Sequence, residues 1–442
     1  MRDKSTKKIK IFQKEIKKKL TTEKLTSYSG LVTVFCYIKK TSIDVFLSKL
    51  NSDKIANALK FSTQQILLSV LLANLCGLCR KINIEKFTED PLVSHLLGLS
   101  KRIDEDTIKQ RLQQLGESGA HTLHELMLSI SRNFIKKTGL KRITIDCDST
   151  VKTVYGHQEG ASKGYNPHKK GATSYHPLLC FLAESKQIIN SWFRAGDAYT
   201  SNGIVEFMKQ TIAMLPSSVK KIFFRADSGF FNGALFDFLE NFGHEYLVKV
   251  KLKNLEDILV RQTWTSISKS EALCEFDYKA DKWNKSRKLY AIRILKRYEK
   301  KMFFGEIHSI PVYDYFCYCT NLRNKDAKFL HKLYGARAES ENWIEHTKNQ
   351  LHAGSTITSD FYVNDIFWTL SILAYNVSVM LRWDTDYKAW KEEPATFLQW
   401  FIRVPGKLIT AAREVTLKMS KTYIFITECL LFDQKFQLQL KE

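Results

Sequence analysis

The chain has 442 residues, 44% of them hydrophobic and 26% charged, and carries a formal net charge of +22. Such a composition can bury a sizeable core and excludes wholesale disorder, while only 7 Pro and 19 Gly exclude collagen-like repeats and long Pro/Gly linkers. The positive surplus points to a polyanionic partner, most often nucleic acid, with a merely Lys-rich protein as the alternative.

In chain order, Met1–Leu25 holds ten Lys/Arg against three Asp/Glu and no apolar stretch, so it does not read as a secretory signal. Its Lys4–Lys19 run reads as an arm along a DNA backbone or as a Lys-rich tail. Ser42–Lys49, Ile55–Cys79 and Ala120–Ile135 repeat apolar residues at helical intervals, which predicts a helical front. Between them, Asp104 or Asp106 can cap a helix whose apolar side is Ile108, Leu112 and Leu115. Its other side would offer Lys109, Gln110, Arg111, Gln113 and Gln114, as the second helix of a helix-turn-helix offers DNA, or as any solvated amphipathic helix does. Nine cysteines without regular spacing do not read as a disulfide framework. Cys76 and Cys79 have no second pair nearby to complete a zinc site.

The texture changes at Lys141. Arg142–Asp148, Pro177–Ala183 and Gln187–Arg194 suit strands, Asn202–Met214 a helix, Lys221–Ala226 a strand, Asn232–Asn241 a helix and Glu245–Val250 a strand. That order fits a mixed α/β sheet flanked by helices. Leu273–Tyr278, Lys288–Leu295 and Val312–Cys319 are further strands, which read as an inserted β-rich subdomain. Helical texture resumes at His331. Ile66–Cys79 is too short to span a bilayer, and Phe361–Leu381 contains Asn364, Asp365 and Asn376 and reads as a buried helix, so no membrane segment is expected. The division is a helical DNA-binding or dimerisation region (1–136), a core (137–250 and 331–385), the insertion (251–330) and a C-terminal region (386–442).

Three acids occupy comparable places. Asp148 ends the first strand, Asp227 ends the fourth, and Glu341 lies in the helix expected over His331–His352. Carboxylates converging on a small volume repel one another and are stable mainly around cations. Two Mg²⁺ ions there would suit in-line phosphoryl displacement. Taken singly, Asp at a strand end is ordinary turn chemistry. Tyr334, Arg337, Glu341 and Lys348 follow at intervals of 3, 4 and 7 residues and share a helical face, where an acid flanked by two bases and a phenol matches a site for a metal and phosphates. Asp146 points the same way as Asp148 from its strand.

The Tyr334, Arg337, Glu341, Lys348 spacing resembles the YREK signature of bacterial cut-and-paste insertion-sequence transposases. Asp148-Ser-Thr and Asp227-Ser-Gly-Phe resemble the other acidic motifs of that superfamily. Tyr155-Gly-His-Gln-Glu-Gly160, Gly164-Tyr-Asn-Pro167, Ser174-Tyr-His-Pro-Leu178 and Leu373-Ala-Tyr-Asn376 resemble the transposase DDE domain group 1, as in the insertion-sequence 1380 family. The resemblance spans roughly Lys141–Leu381. It implies a ribonuclease-H-like α/β core with a β-rich insertion; with the helical front predicted above, the core would be preceded by an all-α N-terminal DNA-binding region. It also implies that Asp148, Asp227 and Glu341 hold two Mg²⁺ (Mn²⁺ substituting), with Asp146 as the alternative first acid. Tyr334, Arg337 and Lys348 would engage phosphates. Its partners would be double-stranded DNA, as transposon ends and target, and further copies of the chain in a dimer or larger synaptic complex, in the bacterial cytoplasm at the nucleoid. A domesticated, inactive DNA-binding protein and a metal-dependent nuclease without strand transfer are the alternative functions.

Three weaker expectations complete the reading. Lys163, His168, Lys169 and Lys170 form a basic loop able to track a DNA backbone or simply to solubilise. His157, His168 and His176 stand at separations unhelpful for zinc. Trp264 and Trp283 read as core residues, with stacking on a flipped base as the functional alternative.

Overall fold

The computed structural model describes residues 9–11, 14–16, 18–50, 60–164, 166, 169–304, 306–337, 343, 356–385, 393–412 and 414–436. After two short strands, β1 (Ile9–Ile11) and β2 (Lys14–Ile16), which pair as a hairpin, comes β3 (Lys24–Thr26). Helices α1 (Leu31–Lys40), α2 (Ile43–Ser48), α3 (Thr63–Leu75), α4 (Lys81–Thr88), α5 (Pro91–Leu96) and α6 (Glu105–Thr138) follow. Local chemistry sets their ends. Ser62 accepts from the Gln65 amide while Gln65 reaches back to the Ser62 amide, a reciprocal box that starts α3. Asp104, rather than Asp106, caps α6 through the Thr107 amide at 2.8 Å. The 34-residue α6 is broken at Gly116, whose φ of 51° lies outside helical space.

The core is a nine-stranded sheet. Its strands are β4 (Arg142–Ser149), β8 (Leu178–Leu182), β9 (Gln187–Trp192), β10 (Lys221–Ala226), β11 (Glu245–Lys249), β12 (Thr265–Ser266), β13 (Glu271–Tyr278), β14 (Arg287–Phe303) and β15 (Glu306–Thr320). Three small strands, β5 (Lys152–Thr153), β6 (Ser162–Lys163) and β7 (Thr173–Tyr175), form a separate sheet between β4 and β8. One half of the main sheet runs β9-β8-β4-β10-β11 in space, with β4, β10 and β11 parallel and β8 antiparallel to both its neighbours, β4 and β9. Helices α7 (Ile204–Met214) and α8 (Gly233–Asn241) are the crossovers that parallel pairing requires. This is the mixed sheet the sequence led us to expect.

The β-rich region expected as an insertion is continuous with this sheet. After the short α9 (Leu255–Val260), strand β15 pairs antiparallel with β11 through Leu247↔Thr320 and Val248↔Cys319, so β12–β15 extend the same sheet. Helix α10 (Ala327–Gly335) then returns across β13–β15.

Helix α11 (Phe361–Thr385) is apolar on every face and almost wholly buried, as a core helix should be. It covers the edge of β9: the Asn376 side chain accepts from the Ile188 amide at 3.0 Å and donates to its carbonyl at 2.7 Å, replacing a missing strand. Its other side meets α3 through Asn74 and Ser371, 3.0 Å apart.

The front of the chain is not all-α, which corrects the sequence reading. A short α12 (Pro394–Phe397) leads to β16 (Gly406–Thr410), β17 (Val415–Met419) and α13 (Ile426–Lys435), and β3 pairs with β16 in a three-stranded sheet. A three-residue strand is too short to show alternation, and its partner stands near the other end of the chain. At the same junction a Cβ on Gly30 would lie 1.6 Å from the Phe401 carbonyl oxygen, so only glycine lets α1 start against the C-terminal segment.

Candidate active site

β4 and β10 are parallel neighbours in register, Arg225 opposite Asp146 and Ala226 opposite Cys147. Continuing that register by one residue sets Asp227 beside Asp148 at the carboxyl rim of the sheet. Asp227 caps a short 3₁₀ turn by accepting from the Gly229 amide at 2.9 Å. Asp148 accepts from the Ser149 amide at 2.8 Å and from Nη2 of Arg337 at 2.5 Å. Arg337 is buried, and burial alone would make its guanidinium easier to deprotonate. The negative charges of Asp148, Asp227 and Asp146, together with Tyr334, outweigh that and hold the proton more firmly than usual. All three strand acids are therefore electrostatic neighbours of one arginine.

Asp146 has a different setting. Arg225 forks onto it, Nε to Oδ1 at 2.7 Å and Nη2 to Oδ2 at 2.8 Å, with the two side chains 6% and 0% exposed. The remaining arm of Arg225 donates to the Leu333 carbonyl at 3.0 Å and so ties α10 to the sheet. Helix α10 ends at Gly335, and Arg337 reaches Asp148 from the turn that follows rather than from a continuous helix over His331–His352. Tyr334 lies half-buried, its ring 5.0 Å from that of Tyr318.

A hydrogen-bonded ring that sequence patterns did not reveal fastens the loop 195–203 against both acids. His176 places Nδ1 2.6 Å from the Ala198 carbonyl and Nε2 3.1 Å from the Ser149 hydroxyl, which in turn lies 3.0 Å from the Thr200 hydroxyl. The carbonyl contact assigns the proton to Nδ1, so Nε2 accepts from Ser149. Burial lowers the His176 pKa and favours this neutral form. Arg194 donates to the carbonyls of His176, Tyr199 and Asn202 at 3.0, 3.3 and 2.8 Å. A Cβ on Gly229 would come within 2.9 Å of Thr200 and 3.1 Å of Asp227 Oδ1, so glycine permits the close approach of the two loops. In the sequence His176 stood in Ser174-Tyr-His-Pro and among the histidines weighed for zinc, neither of which shows this role; its partners stand 22 and 27 positions away.

The remaining expected residues fall into four groups. Lys163 on β6 and Lys169 and Lys170 in the turn before β7 are exposed, and the Lys169 ammonium sits over the Tyr155 ring at 4.7 Å. Lys109 is half-buried, but Arg111 is turned inward, bonded to Thr63 at 3.0 Å and Gln114 at 3.1 Å. Its solvent-facing reading is therefore corrected: positions 108, 111, 112 and 115 form one buried stripe at helical spacing. Trp283 packs among Phe231, Phe236 and Tyr278, and Trp264 against Tyr315 and Arg293, so both serve packing. Glu341, Lys348 and His168 lie outside the described residues. Among the described residues no group of three His, Cys, Asp or Glu side chains is placed to hold a metal ion, leaving Asp148 and Asp227 as an incomplete pair of hard oxygen donors.

Comparison with known proteins adds one broad match. The family model for transposase DDE domain group 1 matches residues 8–437. No curated protein matches the chain. Among solved structures, a piggyBac transposase synaptic complex with hairpin DNA is similar at 12% identity, covering 86% of this chain and 81% of that one with a TM-score of 0.48. A pre-cleavage Mos1 transpososome is similar at 10% identity over 38% of this chain and 58% of that one, TM-score 0.17. A Mos1 paired-end complex has the same identity and TM-score over 44% and 61%.

Proposed function

The chain belongs to the transposase DDE domain group 1 family, and from that premise we propose that it cuts DNA at the terminal inverted repeats of an insertion sequence and joins the freed 3′ ends to target DNA. The observation that carries this reading is the placement of Asp148 and Asp227 at adjacent ends of parallel strands, around one buried arginine. The β9-β8-β4-β10-β11 order supports a ribonuclease-H-like core beneath them.

The donor set fits divalent cations. Carboxylate oxygens at an open sheet rim suit Mg²⁺ or Mn²⁺, and the third oxygen donor would come from Glu341. Bound there, two cations supply activation of a water or a DNA 3′-OH and stabilisation of the departing oxygen. The protein's own part is placement. The Ser149 and Gly229 amides aim the two carboxylates, and the Ser149–His176–Thr200 bonds hold the loop beside them. Asp148 is the better first acid because Asp146 has both oxygens committed to Arg225 in the interior. Arg337, with Tyr334 and Lys348 in the YREK pattern of the insertion-sequence 1380 family, would engage phosphates. The exposed Lys163, Lys169 and Lys170 would follow the DNA backbone, with Lys109 a further basic contact. A homodimer or larger synaptic assembly at the bacterial nucleoid completes the reading.

The test is to incubate the protein and Mg²⁺ with labelled element-end DNA and a target plasmid. Nicked and joined products are expected, and both should vanish in chelator and in Asp148→Asn. Nicks without joined products would reduce the protein to a nuclease. Full cleavage by Asp148→Asn would move the role to Asp146.

A further inference from the structure

The tryptophans that were candidates for base stacking are packed away, yet one aromatic ring beside the two acids is left in the open. Tyr199 is 71% exposed. Among the described residues its ring meets no other ring and no cation, and its hydroxyl makes no hydrogen bond. Its main chain, in contrast, is pinned on every side. The Tyr199 carbonyl accepts from Arg194 at 3.3 Å and from the Asn202 amide at 3.0 Å. The preceding Ala198 carbonyl bonds His176, and the following Thr200 bonds Ser149, the neighbour of Asp148. Thr200 also packs where Gly229 leaves room, next to Asp227. A fixed backbone thus presents a free aromatic face one residue from contacts with the segments bearing both acids. Among the described residues, the other exposed tyrosine of this region, Tyr155, has one face covered by Lys169.

We propose that Tyr199 is the stacking platform for an unpaired nucleobase next to the phosphate being cut. The inference rests on reading the chain as a DNA transposase, and deepens it by naming a residue that handles the base rather than the phosphate. Stacking one base on an aromatic ring favours binding by about 5- to 150-fold and tolerates any base, because every base has a π face. A gain of that size can hold open a weakened or terminal pair, whose unpairing is least costly, but not a run of internal pairs. Tyr199 would therefore favour frayed, nicked or terminal DNA over continuous duplex. Its effect depends on the ring and not on the hydroxyl.

The probe is a forked DNA duplex with 2-aminopurine at the first unpaired position, compared with the same sequence fully paired. Ca²⁺ is present so that the DNA is bound without being cut. Binding by the full-length protein should quench the fork's fluorescence. Tyr199→Ala should weaken fork binding by about 5- to 100-fold, remove the quench, and leave affinity for the paired duplex and the thermal midpoint unchanged. Tyr199→Phe should behave as the unsubstituted protein. Equal fork binding by Tyr199→Ala, or an equal loss in Tyr199→Phe, overturns the stacking role while leaving the transposase reading intact. Failure of the unsubstituted protein to bind either DNA overturns both.

Discussion

Two carboxylates two residues apart on β4 each meet an arginine, and the two meetings are unlike. In the interior of the sheet, Asp146 and Arg225 are both buried and joined by two parallel hydrogen bonds. At the rim, Asp148 is 14% exposed and meets Arg337 through Nη2. A fork in the interior satisfies the acid, and taking either partner away strands a charge where water cannot reach it. An acid at the rim keeps an approach from solvent and is held by its Ser149 and Arg337 contacts without being sealed. The same residue type on the same strand face is thus sealed in a buried fork at one register position and partly exposed at the next.

The largest test of that contrast is in the interior. Asp146→Ala or Arg225→Ala should each destabilise the fold by about 3–5 kcal/mol, read as a shift in the denaturant midpoint at constant slope. Replacing both by apolar residues of similar volume should recover most of the loss, though not the Arg225 bond to the Leu333 carbonyl. Single variants of unchanged stability would erase the distinction between the two pairs.

At the rim the signature should reverse. Asp148→Asn and Asp227→Asn should lower strand cleavage by more than about 100-fold, beyond the loss typical of a group that merely orients a metal ligand. Their thermal midpoints should stay within a few degrees of the unsubstituted protein. Binding to DNA ends should persist, measured by gel shift in the presence of Ca²⁺. A cleavage defect matched by an equal loss of folded protein would make Asp148 a second structural acid.

Much of this contrast could not be seen from one strand of sequence. Asp148 and Asp227 were legible because each closes a β-branched or apolar run and each sits in a recognisable motif. Their convergence was expected from comparable strand ends; the register that sets them side by side, β4 and β10 pairing in parallel across 79 positions, was not. Asp146 and Asp148 were indistinguishable by alternation; the Ser-Thr that follows favoured Asp148, and the Arg225 partner, set opposite Asp146 by the same register, adds a physical distinction. Arg111 was misread because a charged side chain was assigned to the solvent face although its position belongs to the buried stripe. Strand β3 was invisible because pairing with β16 is a long-range fact and three residues carry no period. The helix texture of α3, α6 and α11 was read without difficulty because local periodicity and capping determine it.

Arg337 tests the rim pair from its other side, with a smaller effect. Arg337→Lys keeps the charge but loses the planar, multiply bonding head, and should cost about 1.5–3 kcal/mol of stability as a charged hydrogen bond is weakened. Cleavage should fall roughly 10-fold, the size of effect expected from a group that positions a ligand. A drop equal to that of Asp148→Asn would give the arginine a direct part in the reaction.

The smallest effect belongs to a third acid, which shows what burial does without an arginine fork. Asp365 on α11 has its pKa pushed up to about 7 by burial, an increase that His121, a Thr369 hydrogen bond and Lys152 only partly offset. An acid whose pKa is higher in the folded than in the unfolded chain contributes stability that is complete below its ordinary value. That contribution is lost as pH rises through about 7. Asp365→Asn removes the proton exchange and should therefore be the more stable form at pH 8 relative to pH 5, measured by thermal melting. The raw curve of either protein would not reveal this. Burial lowers the pKa of His124, His176, His244 and His331, and those groups lose stability in the opposite direction, as pH falls. They are common to both proteins and cancel in the difference. A difference that is flat from pH 5 to pH 8 would mean that Lys152 satisfies Asp365 as fully as Arg225 satisfies Asp146, and that a fork is not what separates a sealed acid from a titrating one.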